Sequence, residues 1–429
     1  MQNNIFKNNT TAFILTLLFP FGGLIYSLSH WRESWAKNIF WLACIYLGAV
    51  LIFMPEGTLL GDGADGGRYV LDMLQMRQSS TTLQDIFARY LKDPETMDLY
   101  FPIVALLVSS FTDNGHVLFA VFAIIFGFFY SRNIWYILEK LPNKKLGNLF
   151  ILVSLYFLVC PITQINGVRM WTALHVFVYA LMPYLLDRDK SKMWLMLLCP
   201  FIHFSYLYVC IFVVVYYLMP FRLKTKSTVF VTISLVLFVG SMLFNSLNLD
   251  AASGILKEYS PESYEGRISA YANQDYADST SAVAALDNWY VAGSGNILYW
   301  CYNLLQIALL PCIKRNFNNN GPIRHLYVFT LLLGAIANIS ALIPSGGRFQ
   351  ILSQMFKVPL ILLVAMNIPK SDYFRKYINV FSVLLLIPFV VEMRKLLSFY
   401  SITAIFGNFV TVFFWENNVA LITLIKRII

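Results

Sequence analysis

The chain has 429 residues, enough for two or three soluble domains, yet 58% of them are hydrophobic and only 13% are charged. Soluble globular proteins have roughly 45–50% apolar and about 25% charged residues. The mean hydropathy is +0.62, and such a chain cannot cover its own apolar surface with polar groups. A soluble protein is therefore excluded. The composition predicts an all-α polytopic membrane protein that forms a single integral membrane domain over residues 1–429.

The net charge of +9 does not indicate a nucleic-acid partner, because the 32 lysines and arginines lie in small groups between apolar stretches. That arrangement follows the positive-inside rule of membrane proteins. The six cysteines lie within or at the ends of apolar runs. A disulfide-stapled ectodomain and a CxxC metal site are both disfavoured, and no cofactor or metal is expected.

Apolar segments long enough to cross a bilayer, about 17–25 residues each, recur along the chain. Together with shorter apolar stretches they predict about 11–13 transmembrane helices. In chain order the segments are 11–28, 35–54, 115–131, 147–163, 168–186, 228–246, 297–313, 325–343, 349–366, 377–392 and 398–415.

The segment 193–219 is long for one span and short for two, and Pro200 interrupts it. Basic groups flank it on both sides, so the positive-inside rule places both of its ends in the cytoplasm. We expect two short helices that enter the membrane and return, and broken helices are tolerated where they line a cavity or are buried in protein. The apolar stretch 99–112 is too short to span, so it predicts a re-entrant or surface helix on the outer side.

Two long polar segments, 55–98 and 249–296, are predicted as extracytoplasmic loops. Together they hold 15 of the 23 acidic residues. Tyrosine and tryptophan in the second loop suit stacking on sugar rings, although an interfacial aromatic cap has the same composition. The GDGADGG run at 61–67 formally contains a dinucleotide-binding pattern, but a membrane span and an acidic loop flank it instead of the required strand and helix. We read it as a flexible turn that presents acidic residues and Arg68.

Isolated cations stand where apolar spans meet the predicted outer face. Asn166 and Arg169 open one span, and Arg348 begins another. Ionisable residues at the lip of a bilayer usually face a cavity, although each arginine taken singly could instead extend to lipid phosphate. An arginine fork suits phosphate and diphosphate groups, so a lipid-diphosphate sugar donor fits the predicted arrangement.

Two further polar features accompany these cations, one at the outer face and one deeper in the membrane. His203 and Ser205 are at the predicted break, where the histidine is either a functional group or a hydrogen-bonded core imidazole. Lys357 follows Arg348 by nine residues, which places it about 13 Å further in at 1.5 Å per residue. A polar interior around Lys357 is expected, with pairing to a buried carbonyl as the alternative.

In order and spacing these motifs resemble the EpsG family of Wzy-like polysaccharide polymerases. The resemblance extends over about residues 35–365, and every motif in it is short. The matching positions are Asp65 and Tyr69 in the outer loop, Asp98 and Tyr100 before a short apolar helix, Asn166, Arg169 and Ala173 opening a span, His203 and Ser205 at a broken helix, and Arg348 and Phe349 at the head of a late span.

The resemblance implies a multi-pass protein of the bacterial cytoplasmic membrane with a GT-C-like membrane fold. Its substrate would be an undecaprenyl-diphosphate-linked oligosaccharide repeat delivered by a flippase, and a chain-length regulator is a possible partner. The enzyme would transfer the growing glycan to a sugar hydroxyl of the next lipid-linked unit, with lipid diphosphate as the leaving group and without a metal ion.

Carried over to this chain, the resemblance gives roles to particular residues. Arg169 and Arg348 would bind diphosphate, with Arg68 and Lys357 as further cations. Three residues remain alternatives for the base or orienting group, and three others would support the site. The candidate bases are Asp65, Asp98 and His203, and the supporting residues are Tyr69, Asn166 and Ser205.

Three other classes share some of these features. An O-antigen ligase uses the same donor with a different acceptor. The length of this chain, its arginines and its outer loop fit that class too. A transporter or flippase for the same lipids would show repeated halves, and none is evident in the sequence. A membrane O-acyltransferase needs its own histidine signature, for which His203 alone is thin support.

Overall fold

The computed structural model describes residues 2–51, 65–92, 98–221, 227–244, 254, 258, 288–317, 321–369, 372–414 and 419–428, with the backbone alone for 2–8. Most of the predicted loop 249–296, and the GDGADGG run before Asp65, lie outside these residues. Throughout the described ranges the chain is α-helical and contains no β-strand. The predicted all-α polytopic membrane fold is confirmed.

Among the described residues, three of the connections between helices contain a 3₁₀ helix. The α-helices are α1 Gln2–Leu18, α2 Pro20–Ser29, α3 Ala36–Ala49, α4 Asp65–Gln78, α5 Leu83–Lys92, α6 Tyr100–Ser109, α7 Gly115–Leu138, α8 Leu149–Leu158, α9 Val168–Asp187, α10 Cys199–Ile202, α11 Tyr206–Leu218, α12 Thr228–Ser241, α13 Trp289–Asn316, α14 Pro322–Ser340, α15 Arg348–Asn367, α16 Tyr373–Leu384, α17 Leu386–Phe399, α18 Thr403–Phe406 and α19 Leu421–Ile428. The 3₁₀ helices are Ile162–Gly167, Met193–Leu198 and Thr411–Phe413.

Among the described residues, five helical stretches are long and apolar enough to cross a membrane. They are α7, the interrupted stretch Leu149–Asp187 formed by α8 and α9, and the helices α13, α14 and α15. Six shorter apolar helices of 10–17 residues accompany them. The predicted number of transmembrane helices is therefore approached only when the shorter helices are counted with the long ones.

Three predicted spans differ in the structure, and one of them, 377–392, is divided at Leu385 between α16 and α17. The segment 11–28 is divided between α1 and α2, because the chain leaves helical geometry at Phe19 and α2 restarts with Pro20 at its first turn. The segment 398–415 contains only α18 and a 3₁₀ turn. There the Asn408 side chain accepts hydrogen bonds from the backbone N–H groups of Val410 and Thr411 at 2.9 and 3.0 Å, which satisfies the backbone locally and competes with a helix.

Helices α7, α9, α14 and α15 form the centre of the bundle. Most of their side chains are buried, although helices of a small membrane protein ordinarily expose one face to lipid. Aromatic rings fill the spaces between them, as where Phe356 of α15 lies 5.2 Å from Phe329 and 6.3 Å from Phe177. These four helices make a rigid frame for the residues at their ends.

One end of the bundle gathers the basic residues. The Lys140 ammonium is 2.7 Å from the Asp187 carboxylate at the end of α9, and Lys37 pairs with Glu139 at 3.0 Å. Arg188 lies over the ring of Phe221. We refer to this face as the basic end, which is the end that the positive-inside rule predicts to face the cytoplasm.

The segment 193–219 enters the bundle and returns, as the sequence predicts. The Lys190 ammonium, which precedes its first half, donates to the hydroxyl of Tyr217 at the end of its second half at 2.8 Å. Both ends of the segment therefore lie at the basic end. The chain reverses at His203, whose backbone is extended between α10 and α11.

Candidate functional site

The site lies at the end of the bundle remote from the basic residues. Asp187 marks the basic end of α9, and Arg169 is at the opposite end of the same helix. At 1.5 Å per residue these two positions are about 27 Å apart, which approaches the thickness of a bilayer core. The amphipathic helices α4 and α5, and the short apolar helix α6, cover this remote end. The structure thus contains the short helix predicted within 99–112.

Asp98 and Arg169 form an ion pair at the centre of the site. Arg169 Nη1 is 2.9 Å from Asp98 Oδ2, and the Asp98 side chain is only 5% exposed. The other carboxylate oxygen, Oδ1, accepts the backbone N–H of Phe204 at 2.9 Å. Because Phe204 stands at the helix break, its N–H lacks the partner that a continuous helix would supply. One buried carboxylate therefore joins the head of α9 to the point where the chain reverses.

Tyr69 of α4 closes the site from the outer side. Its ring is buried 4.6 Å from that of Phe101, and Arg169 Nε approaches its hydroxyl oxygen at 3.4 Å. Burial raises the pKa of Tyr69, and the positive charge of Arg169 partly offsets that effect. Tyr69 therefore stays a neutral phenol that fixes the guanidinium plane.

Asp65 and Arg68 lie at the rim, on the first turn of α4. Arg68 Nη2 is 2.6 Å from Asp65 Oδ1, with side chains 58% and 39% exposed respectively. The guanidinium of Arg68 also lies 5.9 Å from the ring centre of Tyr69, the same distance as that of Arg169. Two arginines therefore flank one tyrosine at the mouth of the site.

His203 and Ser205 form a local pair at the break. Ser205 Oγ lies 2.7 Å from His203 Nδ1, and the backbone N–H of Ser205 donates to the same atom at 3.3 Å. Because a backbone N–H can only donate, Nδ1 is the acceptor. The proton of a neutral imidazole is then on Nε2, the atom that can donate elsewhere.

Asn166 belongs to the 3₁₀ turn Ile162–Gly167, which precedes α9 and packs against α4. Its side-chain oxygen is buried without a hydrogen-bond partner among the described residues. Buried polar atoms normally have a partner, so this oxygen is an open acceptor on the turn that leads into α9.

Arg348 is at the head of α15, exposed and without an ion pair among the described residues. The neighbouring Phe349 ring lies 4.8 Å from Tyr208 and 6.0 Å from Tyr206, both on α11. The head of α15 therefore lies beside the helix that starts after Ser205. Arg348 is at the same end of the bundle as the Asp98–Arg169 pair but does not contact it.

Lys357 is separate from this group. Its ammonium donates to Asn303 of α13 and lies 5.2 Å from the ring centre of Phe238. The predicted polar interior around Lys357 is present, and its partner is a side-chain amide. The sequence prediction that it helps to bind diphosphate stays untested.

A cavity of about 490 Å³ opens between α8, α13, α15 and α17, close to the site. Gln164, from the same 3₁₀ turn as Asn166, lines it together with Gln350 and Gln354 of α15. Sequence reasoning missed these amides. A signal existed in α15, where Gln350, Ser353, Gln354 and Lys357 follow the i, i+3, i+4, i+7 spacing of one helix face.

The groups at this end could bind an anion and accept or donate a proton. Arginines, a histidine and two carboxylates lie at this end, Asp98 and His203 buried and Arg68 and Arg348 exposed. No His/Cys/carboxylate cluster with metal-binding geometry occurs in the described ranges. Together with the fold, these residues define a multi-pass membrane protein with a charged site at one end of its bundle.

The chain belongs to the EpsG family, whose family model matches residues 48–402. This is a family of Wzy-like polysaccharide polymerases, and the match covers most of the chain. All the motif residues named above fall within the matched range. Comparisons with curated proteins and with solved structures give no match.

Proposed function

We propose that the protein polymerises undecaprenyl-diphosphate-linked oligosaccharide repeats at the outer face of a bacterial cytoplasmic membrane. The growing glycan is transferred from its lipid diphosphate to a sugar hydroxyl of the next lipid-linked unit. Family membership supports the polymerase reaction. The observation that carries the site assignment is the buried Asp98, which holds Arg169 at the end of α9 remote from the basic residues.

Arg169 is the first diphosphate ligand in this proposal. Its Nη1 and Nε face Asp98 and Tyr69, so the guanidinium is oriented before the substrate arrives. The side chain remains 34% exposed, and this part is available to an anion. Donors fixed in advance stabilise developing charge without reorganisation, which suits a departing lipid diphosphate.

Arg348 supplies the second cation from the head of α15. Arg68 supplies a third from α4, which with α5 and α6 forms the outer cap of the site. Both are exposed, so they can reach a headgroup at the membrane surface. Arginine presents parallel N–H groups to two oxygens at once. Two or more arginines match the charge of a diphosphate better than one.

We assign different roles to the three candidate bases. Asp98 has both oxygens engaged with Arg169 and Phe204, so it is a positioning residue. His203 has Nδ1 engaged with Ser205, so it is a positioning residue at the point where the chain reverses. Asp65, exposed at the rim, is left as the carboxylate that accepts the proton of the attacking sugar hydroxyl.

An O-antigen ligase is the second candidate, because the same site would serve the same donor. Incubation of the purified protein with one purified lipid-linked repeat unit separates the classes. A polymerase converts that single substrate into a ladder of longer products, since the unit is both donor and acceptor. A ligase or a transporter leaves it unchanged, and that outcome would refute the proposal.

Metal independence is part of the proposal, because the arginines supply the positive charge that a divalent metal ion would otherwise provide. We expect the same ladder in the presence of EDTA. Loss of activity with EDTA, restored by one divalent ion, would show that a metal supports the departing diphosphate.

A further inference from the structure

An arginine stands on the lipid-facing side of the central helix α7, near the basic end of the bundle. The residues Val121, Ile124, Phe128, Arg132 and Tyr136 follow the three- and four-residue spacing of one helix face, and none of them is fully buried. Ile124 is 42% exposed, so this face is turned towards lipid. A cation on such a face needs a polar or charged partner.

The guanidinium of Arg132 lies at the depth of the membrane interface. Its Nη2 donates to Oδ1 of Asn38 at 2.7 Å. Asn38 is in the first turn of α3, at the basic end, where the adjacent Lys37 pairs with Glu139. The long side chain therefore runs along the apolar face and brings its charge to the interface. Lipid phosphates lie in this interfacial region.

Aromatic rings surround the guanidinium. Its central carbon is 4.3 Å from the ring centre of Phe128 and 5.0 Å from that of Trp41 on α3. The ring of Tyr179 on α9 is 6.3 Å from that of Phe128. We refer to Trp41, Phe128 and Tyr179 as the aromatic cluster. Tryptophan and tyrosine are typical of the membrane interface, which agrees with the depth of the guanidinium.

No carboxylate forms an ion pair with Arg132 within the part of the chain that the structure describes. Its two hydrogen bonds go to the neutral side chains of Ser131 and Asn38, at 2.8 and 2.7 Å. A guanidinium offers five N–H donors, so most of its capacity remains for an acceptor from outside the chain.

Lys192 brings a second positive charge to the aromatic cluster. Its Nζ lies 4.3 Å from the ring centre of Tyr179. The exposed carboxylate of Asp189 interacts with Lys192 but accepts the backbone N–H of Ser191 at 2.9 Å. Two cations and one solvent-exposed carboxylate leave this surface positive.

We propose that Arg132, Lys192 and the aromatic cluster bind the phosphate of an anionic phospholipid in the leaflet at the basic end. The phosphate accepts N–H groups of Arg132, and an acyl chain lies along Ile124 and its neighbours on α7. Free phosphate offers the same oxygens but has no part that would cover this apolar face. The surface is at the opposite end of the bundle from Arg169, so the proposal does not rest on the polymerase reaction.

Native mass spectrometry of the purified full-length protein measures which lipid it retains from an equimolar mixture of phosphatidylglycerol and phosphatidylcholine. Both headgroups contain a phosphate, and only the first has a net negative charge. We expect the native protein to prefer phosphatidylglycerol about fivefold or more, the factor that one cation near an anionic headgroup gives. Arg132→Gln should reduce this preference below about twofold, whereas Arg132→Lys should keep most of it because the charge remains.

Lys145→Gln is the matched control, because Lys145 is exposed at the basic end and does not belong to the aromatic cluster. It removes the same charge and should leave the preference unchanged. The thermal midpoint of each variant in phosphatidylcholine vesicles reports on its fold. If Arg132→Gln lowers that midpoint, Lys192→Gln decides, since Lys192 is on a connection between helices and its loss should also lower the preference.

Three results would overturn the proposal. The first is equal retention of the two lipids by the native protein. The second is an unchanged preference in folded Arg132→Gln or in Lys192→Gln, and the third is an equal loss in Lys145→Gln, which would indicate an unspecific effect of net charge. Excess inorganic phosphate should not displace phosphatidylglycerol, and displacement that depends on Arg132 would assign the surface to a free anion instead.

Discussion

Asp98 is the side chain on which the geometry of the site depends. It connects the head of α9, through Arg169, to the reversal point at Phe204. The carboxylate is buried while its partner remains partly exposed. Neutralising it should therefore loosen two elements together as well as release one arginine.

We expect Asp98→Asn to lower the free energy of unfolding by about 2–3 kcal/mol. Breaking a fully buried ion pair costs about 3–5 kcal/mol, and the cost here is smaller because Arg169 is partly exposed. Asparagine keeps an oxygen for Phe204 but leaves the guanidinium unpaired. A double-mutant cycle with Arg169→Gln, followed by thermal unfolding in detergent, measures the coupling. Additive effects of the two substitutions would show that the pair contributes nothing.

Two aspartates of the outer cap should respond to pH in opposite directions. Burial raises the pKa of Asp72 above its usual 3.8, so stability falls as pH rises from about 3.8 through the native value. Hydrogen bonds from Thr82 lower the pKa of Asp85 below 3.8. The stability that Asp85 contributes is therefore lost as pH falls from about 3.8 through its native pKa. At pH 7 Asp72→Asn should raise the thermal midpoint and Asp85→Asn should lower it, and equal shifts of one sign would contradict this.

The sequence singled out residues that the structure brings together, but it did not predict their contacts. Polar positions at the ends and the break of apolar spans pointed to Arg169 and His203, and the family resemblance pointed to Asp98. The ion pair joins residues 71 positions apart, and no local pattern records such a contact. The isolated place of Lys357 was equally hidden, because its partner Asn303 is on another helix.

The turn between α14 and α15 determines where Arg348 stands. Ser345 adopts a positive φ of 63°, and Gly346 packs directly on the previous helix. A Cβ built at Gly346 would lie 1.8 Å from the backbone oxygen of Ser340, whereas one at Gly347 would meet nothing within 4 Å. Gly346 and Gly347 are neighbours in one turn, but only Gly346 lacks room for a side chain. A substitution at Gly347 is therefore the control for one at Gly346.

We expect Gly346→Ala to destabilise the protein by about 1–3 kcal/mol, the usual cost of overpacking, and to displace the head of α15. Gly347→Ala should leave the thermal midpoint unchanged. Thermal unfolding of both variants and the rate of polymer extension give the comparison. Identical midpoints would mean that the turn adjusts at no cost.

Helix boundaries show what hydropathy alone could and could not predict. The reversal at His203 was predictable, because basic groups flank 193–219 on both sides and only a returning chain satisfies both. The kink at Phe19 and the missing span at 398–415 were not. Hydropathy does not register a proline restart or an asparagine that satisfies nearby backbone groups, as Asn408 does.

The orientation of the bundle in the membrane is open to a direct test. All six native cysteines are buried, so background labelling by a membrane-impermeant thiol reagent should be low. We expect Arg89→Cys on the outer cap to be labelled in intact spheroplasts. Ser191→Cys, at the basic end, should be labelled only after permeabilisation, and labelling of both from one side would contradict the proposed topology.

The distribution of charge gives the bundle its polarity. Basic residues and their carboxylate partners hold one end, while the Asp98–Arg169 pair and the exposed arginines face the other. A substrate anchored in the outer leaflet would meet arginines without crossing the membrane. This separation fits an enzyme that works on one face better than a transporter, whose path must reach both.

The initial rate of lipid diphosphate release from a purified lipid-linked repeat unit, compared among arginine variants, tests the diphosphate site. We predict a loss of at least about 100-fold for Arg169→Ala and Arg348→Ala, as for removal of a preorganised donor, and poor rescue by lysine. Arg89→Ala, which removes an exposed arginine of the same cap, should retain the native rate. Native rates in both Arg169→Ala and Arg348→Ala, with normal protein levels, would contradict the account.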